Sequence, residues 1–557
     1  MSETRASAPE TNDCGTASGL SSALEFRRLR APREDRQVLA IPALDTVGDL
    51  LHRPAAADAE QQTRRCEYDV HGRSLCDLAN LARREMLAAA RRYTASYRAV
   101  AAPPEGARVF LAGHQPQMFH PGVWYKNFAL ARLARQHGAT AVNLIIDSDT
   151  LKEPALRVPG GSVSEPAARN IAFDEQDSAV PFAGRAIRNR ELFESFGRRA
   201  GQWLRPLVPD PLLASFWPMV VARSRETENL GECLAQARHQ LEGEWGIETL
   251  ELPQSHVCQF ESFQWFVAHV LDQLPRFAAV YNQAVADYRR LHGIRGANHP
   301  VPDLARDGEW LEAPFWLTSD ERPERRRPWV RRRGGELLLS DRSGFEISLP
   351  LLGQGDAGRA VETLAELSQR GVQLRTRALT TTLFARLFLG DLFLHGIGGG
   401  KYDQLTDELI RRFFQIEPAP FVVLSATLLL PIAHERITAD DARRVDWQLR
   451  ELEFHPERHV AAESLSDDAA AKAGEFVAEK ERWIATPVTR ETARQRCRAI
   501  RQANEALQSF LATQRHELLA RRDDYARRLR AEAVLGWREY AFCLYPEGVL
   551  REFLLTP

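Results

Sequence analysis

Residues 108–149 constrain this chain most, because they read as strand, loop, helix and strand with a polar motif closing each strand. The apolar run Arg108 to Ala112 leads into Gly113-His114-Gln115-Pro116-Gln117-Met118-Phe119-His120-Pro121-Gly122. A helix is predicted from about Val123 to His137. A second apolar run, Ala141 to Ile146, ends in Asp147-Ser148-Asp149. This order is a βαβ unit, with parallel strands and a right-handed crossover. Both polar motifs then emerge at one carboxyl edge, where open α/β sheets bind ligands. An enzyme or a small-molecule binder is expected.

A second unit repeats the geometry. Thr380-Thr381-Thr382 can cap a helix through Phe388, and Leu392 to His395 is a strand. Gly396-Ile397-Gly398-Gly399-Gly400-Lys401 reads as a glycine-rich turn, Asp403 as the opening of a helix, and Phe421 to Leu424 as the next strand. The expected fold class is α/β. A Rossmann-like parallel-sheet core drawn from 31–160 and 371–435 is interrupted by a mixed α+β insertion over 161–370. A C-terminal helical coiled-coil arm over 436–557 follows, and residues 1–30 form a disordered tail. In the arm, Ile500, Leu507, Leu511, Leu518, Tyr525 and Leu529 keep heptad spacing,. That seam predicts an antiparallel pair that forms a homodimer, although a hairpin within the chain, completed by 440–452, satisfies the same pattern.

At 557 residues the chain exceeds one core, so two or three domains are expected,. With 73 basic and 75 acidic side chains the net charge is −2, which gives no global field for nucleic acid or an anionic membrane,. No apolar run is long enough to span a bilayer. The 7 cysteines are odd in number and scattered, without a Cys-x-x-Cys pair. That argues against a disulfide framework or zinc knuckle and for a reducing cytoplasm.

The chemistry-bearing residues cluster at the two strand ends. His114 and His120 flank a helix start, where free backbone N–H groups and the helix dipole favour an anion, and Lys126 adds positive charge. Gln115 joins them. Asp147 and Asp149 alternate across Ser148, so an extended chain sets both on one face, as paired carboxylates for proton transfer or amine binding. A metal held by His114, His120, Asp147 and Asp149 is chemically possible but ranks below direct substrate binding, and none is assigned. Gly398, Gly399, Gly400 and Lys401 resemble a phosphate cradle. Tyr402 after the lysine departs from the P-loop order, so no ATPase is read from them. The arginines at 325–327 and 331–333 flank a hairpin turning at Gly334-Gly335, and read as solvated edge charges. Tyr281, Tyr288, His299 to Asp303 and Glu312 to Trp316 fit either a pocket wall or a packed insertion.

These motifs, in this order, resemble the bacillithiol-biosynthesis cysteine-adding enzyme family. Gly113-His114-Gln115 is similar to its Gly-Gln-Gln loop, Phe119-His120-Pro121-Gly122 to its Phe-x-x-Gly-Pro turn, and Lys126 to its helix lysine. Asp147-Ser148-Asp149 resembles its acidic strand end. Arg375 or Arg377, Gly398-Gly399-Gly400 and Gln404-Leu405 resemble its later glycine turn. His114 stands where that family has Gln, and its acidic-cluster histidine is absent. The resemblance implies a carbon–nitrogen ligase that adds cysteine to the amino group of a glucosaminyl-malate, and a dimer through the arm. Amide formation from a free carboxylate is uphill, so a nucleotide cofactor is chemically expected, although no ATP motif is present. Gly113 to Tyr125 is also similar to the WbqC-like proteins of surface-polysaccharide synthesis. A non-catalytic sugar- or nucleotide-binding scaffold is the alternative.

Overall fold

The computed structural model describes residues 24–26, 29–52, 55–101, 106–177, 179–350, 357–461, 463 and 465–556. The expected disordered tail lies mostly outside these residues, but Leu29, which falls within its span, is buried. A six-stranded sheet forms the centre, built from β1 (Val38–Ile41), β2 (Val109–His114), β3 (Thr140–Ile145), β4 (Leu250–Pro253), β5 (Leu392–His395) and β6 (Phe421–Ala426). Its order is β1-β6-β5-β2-β3-β4. Strands β2 to β6 run parallel to one another, and β1 lies antiparallel on the β6 edge. The chain therefore progresses outward from β2 in one direction and then reverses, and the reversal falls between β2 and β5.

Alternation along the strands explains the two cores. Val109 and Leu111 of β2 face one side with Val142, Leu144 and Phe393, while Phe110 and Ala112 face the other with Leu392, Leu394 and Val422. Helices cover both faces, as parallel sheets require. Among them, α1 (Ala55–Glu67) and α2 (Leu75–Ala95) precede β2, α3 (Pro121–Gln136) links β2 to β3, and α4 (Ile397–Leu409) follows β5. Helix α3 starts where the residues demand it. His120 Nδ1 accepts from Gly122 N–H at 3.1 Å, and Pro121 fills the first helical position, whose N–H has no partner in any case,.

Several expectations need correction. The insertion is not separate from the sheet, because Leu250–Pro253 inside it supplies edge strand β4. The glycine-rich segment is not a loop. Helix α4 starts at Ile397, so Gly398, Gly399, Gly400 and Lys401 form its first turn, well before Asp403. The cysteines are not all free. Cys66 of α1 and Cys76 of α2 form a disulfide, because the chain reverses over Tyr68 to Ser74 through positive φ at His71 and Gly72. No spacing rule marks such a pair. The hairpin at Gly334 forms as read, with strands Trp329–Arg333 and Glu336–Ser340.

Among the described residues the C-terminal region holds four long helices, Ala439–Phe454, Asp467–Ala485, Ala493–Gln508 and Ala512–Leu535, and a short last one, Glu547–Leu555. Leu511 and Leu518 of the heptad seam pack with Val445 and Leu452 of the same chain. The seam is thus covered within one chain, by the 440–452 helix of the hairpin alternative, rather than left open for a second copy. Beyond Leu535 the chain returns to the core, where Tyr540 to Tyr545 are buried against α3 and its neighbours. No helix among the described residues is long and apolar enough to cross a membrane.

Candidate active site

A cavity of about 630 Å³ opens at the carboxyl ends of β2, β5 and β6, on the line where strand order reverses. Open α/β sheets bind ligands at this position. The amino termini of α3 and α4 both reach it, and it is lined by His114, Gln115, His120, Lys126, His395, Gly398, Gly399, Lys401, Ser425 and Arg538, with Leu29, Phe393 and Tyr402 among its apolar and aromatic walls. The strand-end motifs of the two βα units thus meet in one crevice.

The first unit brings two half-buried imidazoles and a buried amine. His114 closes β2 with its ring edge-on to Phe119 at 5.2 Å. Burial, with Lys126 nearby, pushes its pKa down to about 3, so the ring is neutral at ordinary pH. Its Nδ1 lies 3.0 Å from the Gln115 nitrogen and 3.4 Å from the Gln115 carbonyl oxygen, and the shorter contact, with the N–H donating, favours the ring proton on Nε2. His120 is likewise held neutral, pushed down to about 4 by burial and Arg538. It caps α3 and lines the cavity at once. Lys126 is buried and donates to the Gly113 carbonyl at 2.5 Å. Burial, reinforced by Arg238, lowers it to about 7, which leaves a large unprotonated fraction near neutrality,.

Arg238, on the helix Leu230–Glu244, stands behind this group in a fully buried network. Its guanidinium bonds Glu242 at 2.7 Å and also Glu251 on β4. Glu242 accepts as well from Trp124 Nε1 at 2.6 Å and Asn127 Nδ2 at 2.9 Å on α3. Burial alone would lower the Arg238 pKa, but the two glutamates raise it and keep the charge. Among the described residues, His239, Glu242 and Glu251 approach one another closely enough to share a metal ion. They lie outside the cavity, Arg238 already answers their charge, and both His239 nitrogens are engaged, by the Tyr97 hydroxyl at 2.7 Å and Thr249 at 2.9 Å.

The second unit supplies a different imidazole. His395 closes β5, stacks on Phe393 at 4.3 Å, and bonds Asp403 Oδ2 through Nε2 at 2.7 Å. Asp403 is bonded in turn by Arg386 at 2.9 Å. Burial would raise the Asp403 carboxyl, but Arg386 and His395 hold it well below the usual carboxylate range. An ionised Asp403 accepts from Nε2–H, which leaves Nδ1 as the free acceptor. Nδ1 lies against Gly399, where a Cβ would stand 2.5 Å from it. Glycine at 399 keeps that nitrogen open. Close approach matters equally at Gly122, where a Cβ would fall 1.8 Å from the Ala426 carbonyl oxygen of β6. Arg538, from the returning C-terminal segment, donates to that same carbonyl at 3.1 Å and to Thr427 at 3.0 Å. Lys401 has no hydrogen-bond or ion-pair partner among the described residues and lines the cavity.

The acidic pair does not assemble. Asp147 is buried and accepts from Ser255 N–H at 2.9 Å and from its hydroxyl, so it holds the turn after β4. Burial raises its pKa, and Arg375 and Ser255 oppose the rise. Asp149 turns elsewhere, accepting from Gln115 Nε2 at 3.0 Å and pairing with Arg325 at 3.0 Å. Neither carboxylate lines the cavity. The tight turn after β3, in which Phe182 and Ala183 N–H bond the Asp149 and Asp147 carbonyls, replaces the extended geometry that would align them. The metal set His114, His120, Asp147 and Asp149 is therefore not gathered. Arg377 also stands apart. It bonds the Phe315 carbonyl at 2.7 Å, pairs with Glu312 at 2.7 Å and lies over Trp316, tying the insertion to the core. Gly400 packs beneath the cavity against Val423 rather than lining it. Among the hairpin arginines, Arg325 departs from the edge-charge reading by reaching Asp149, whereas Arg331 and Arg332 pair with Glu309 and Asp272. Arg289 pairs with Asp303 at 2.9 Å, and Asn282 is bonded to Leu304, in agreement with a packed insertion.

His395, Asp403, Arg386 and Arg538 were absent from the sequence-based site. A strand-end histidine in the second unit, matching His114 in the first, was the available signal for His395. Nothing local marked Arg538. Compared with known proteins, the sequence matches no family model, and no curated protein is similar to it.

Proposed function

We propose that the crevice binds an anionic small molecule and that the protein is a Rossmann-like, ligase-like enzyme forming a carbon–nitrogen bond. One observation carries this reading. Two helix amino termini converge with His114, Lys126, Lys401 and Arg538 on one cavity where the strand order reverses. Backbone N–H groups at helix starts and fixed cations favour phosphate or carboxylate. In the proposed step, His395 Nδ1 takes the proton of an amine as its nitrogen attacks an activated acyl carbon. Asp403 stabilises the imidazolium that results. His114 Nε2–H and the cations hold the oxygen that gains charge, and the leaving group departs as its anion. The proton-accepting role expected of Asp147 or Asp149 thus passes to His395, and Asp149 orients Gln115.

The acyl group needs activation, and the donor-rich edge beside Phe393 and Tyr402 suits a nucleoside phosphate as its source. Cysteine as the acyl donor and a glucosaminyl-malate as the amine rest on the motif resemblance. Self-association through the helical arm belongs to the proposal on a different face from the seam, since Trp447, Phe454 and Ile484 are exposed there. The test is mass spectrometry of mixtures holding cysteine, glucosaminyl-malate and ATP. Formation of the cysteinyl amide, with kcat lost in His395→Gln and KM raised in Lys401→Ala, supports the enzyme. Ligand binding without product under any of these conditions supports a non-catalytic scaffold.

A further inference from the structure

A second polar pocket lies on the opposite, amino edge of the sheet, far from the strand ends that line the crevice. It encloses about 310 Å³ and is lined by Gln62, Cys76, Asn80, Arg83, Arg108 and Asp391 among others. Arg83 is held by Asp391 at 2.7 Å, with its Nε buried and unpartnered. The Arg108 backbone carbonyl accepts from Thr140 N–H at 2.7 Å, while its exposed guanidinium has no ion-pair or hydrogen-bond partner among the described residues. Arg83 is answered by Asp391, and Glu417 of the same wall pairs with Arg411, so the Arg108 guanidinium is left facing the pocket without a counter-ion among these residues.

The disulfide borders this pocket. Cys66 and Cys76, with Cα atoms 4.9 Å apart, join α1 to α2. Their two sulfurs face different surroundings. Cys76 lines the pocket and is 8% exposed, whereas Cys66 is exposed to solvent on the outer side. Gln62 Nε2 lies 3.3 Å from the Cys76 sulfur and 3.6 Å from that of Cys66. A thiolate released at Cys66 would be solvated by water and by this amide. A thiolate arriving from the pocket meets Cys76.

The geometry points to this pocket as the docking site of an anionic low-molecular-weight thiol, which exchanges with the Cys66–Cys76 disulfide at Cys76. The thiol's carboxylates pair with Arg108 and the Arg83 edge. Its thiolate attacks the Cys76 sulfur, a new S–S bond forms between them, and the Cys66–Cys76 bond breaks with its electron pair leaving on Cys66, which takes a proton from water. A second thiolate then attacks the mixed disulfide. Cys76 leaves as thiolate, and the small thiol is released as its own disulfide. Two thiols are oxidised as one protein disulfide is reduced.

The experiment compares glutathione, which carries carboxylates, with neutral 2-mercaptoethanol on the full chain. Non-reducing peptide mapping of the wild type after thiol treatment is expected to show loss of the joined 66/76 peptide. In Cys66→Ser, treatment with oxidised glutathione is expected to leave the adduct on Cys76. Arg108→Ala is expected to slow exchange with glutathione about fivefold, the worth of a partly exposed ion pair, and to leave 2-mercaptoethanol unaffected. Equal rates for Arg108→Ala and wild type with glutathione, or equal slowing with both thiols, overturns the docking claim. An adduct that forms on Cys66 in Cys76→Ser but never on Cys76 in Cys66→Ser overturns the assigned sulfur. Circular dichroism of both serine variants confirms that the fold is kept before either result is read.

Discussion

His114 and His395 occupy the same place in two successive βα units, each the last residue of a parallel strand, yet they keep opposite company. His114 is surrounded by aromatic carbon and by cations, Lys126 beside it and Arg238 behind. His395 is bonded to a carboxylate, Asp403, that Arg386 keeps ionised. The first ring is thereby fixed as a neutral donor. The second is oriented with a free acceptor nitrogen. One topological position has been given two hydrogen-bonding environments by what packs behind the strand, and the proposed reaction assigns a donor role to the first ring and an acceptor role to the second.

The comparison breaks most easily at the buried arginines. Arg238→Met leaves Glu242 and Glu251 buried without their cation, and Arg386→Met does the same to Asp403 and Asp407. Each is expected to cost about 3–5 kcal/mol in chemical denaturation, as for a broken buried pair. A loss below about 1 kcal/mol would show that water reaches these carboxylates.

Acid comes next. A histidine whose folded pKa is depressed favours the unfolded state once protons are available, because the unfolded chain binds them first. The stability contributed by neutral His114 is present above the ordinary histidine value and is lost as pH falls toward about 3. Between about pH 5.5 and 4 the slope approaches about 1.4 kcal/mol per pH unit for such a group. The urea midpoint should fall over this range, and His114→Gln should flatten the fall by about one proton's worth. Lys126 acts higher on the scale. Its folded value of about 7 lies below that of the unfolded chain, so stability should rise with pH above neutrality. Lys126→Met should remove that rise.

Glycine packing gives a smaller and sharper contrast between the units. A Cβ at Gly122 meets the backbone carbonyl of Ala426, which cannot move alone, whereas one at Gly400 meets the side chain of Val423. Gly122→Ala should cost about 1–3 kcal/mol and Gly400→Ala less, by thermal or urea unfolding. The reverse order would place the strain in the second unit. Smallest of all is Asp149→Asn. Its pair with Arg325 is 29% and 40% exposed, so a stability change within about 1 kcal/mol is expected,.

The βαβ periodicity made both parallel units legible, and with them His114, His120, Lys126 and the glycine segment at one edge. These signals are local. Strand β4 was not legible, because Glu251 interrupts its apolar pattern and Pro253 closes it; Arg238, from the neighbouring helix, and Asn143, on β3, make a glutamate tolerable there. The split of Asp147 from Asp149 depended on Ser255 and Arg325, which are remote in sequence. Glycines at 398 to 400 suggested a loop, since propensity disfavours them in a helix, but contact with β6 requires a residue without a side chain at 400. Arg538 reaches the site only because the chain returns from the arm.

Calorimetric titration with inorganic pyrophosphate tests the central claim, that an anion is held between the two strand-end histidines. The wild type should bind at one saturable site. Lys401→Ala combined with Arg538→Ala should weaken binding at least about tenfold, the scale of one lost charge-assisted hydrogen bond. Absence of saturable binding to the wild type, or equal affinity in the double variant, would contradict the account.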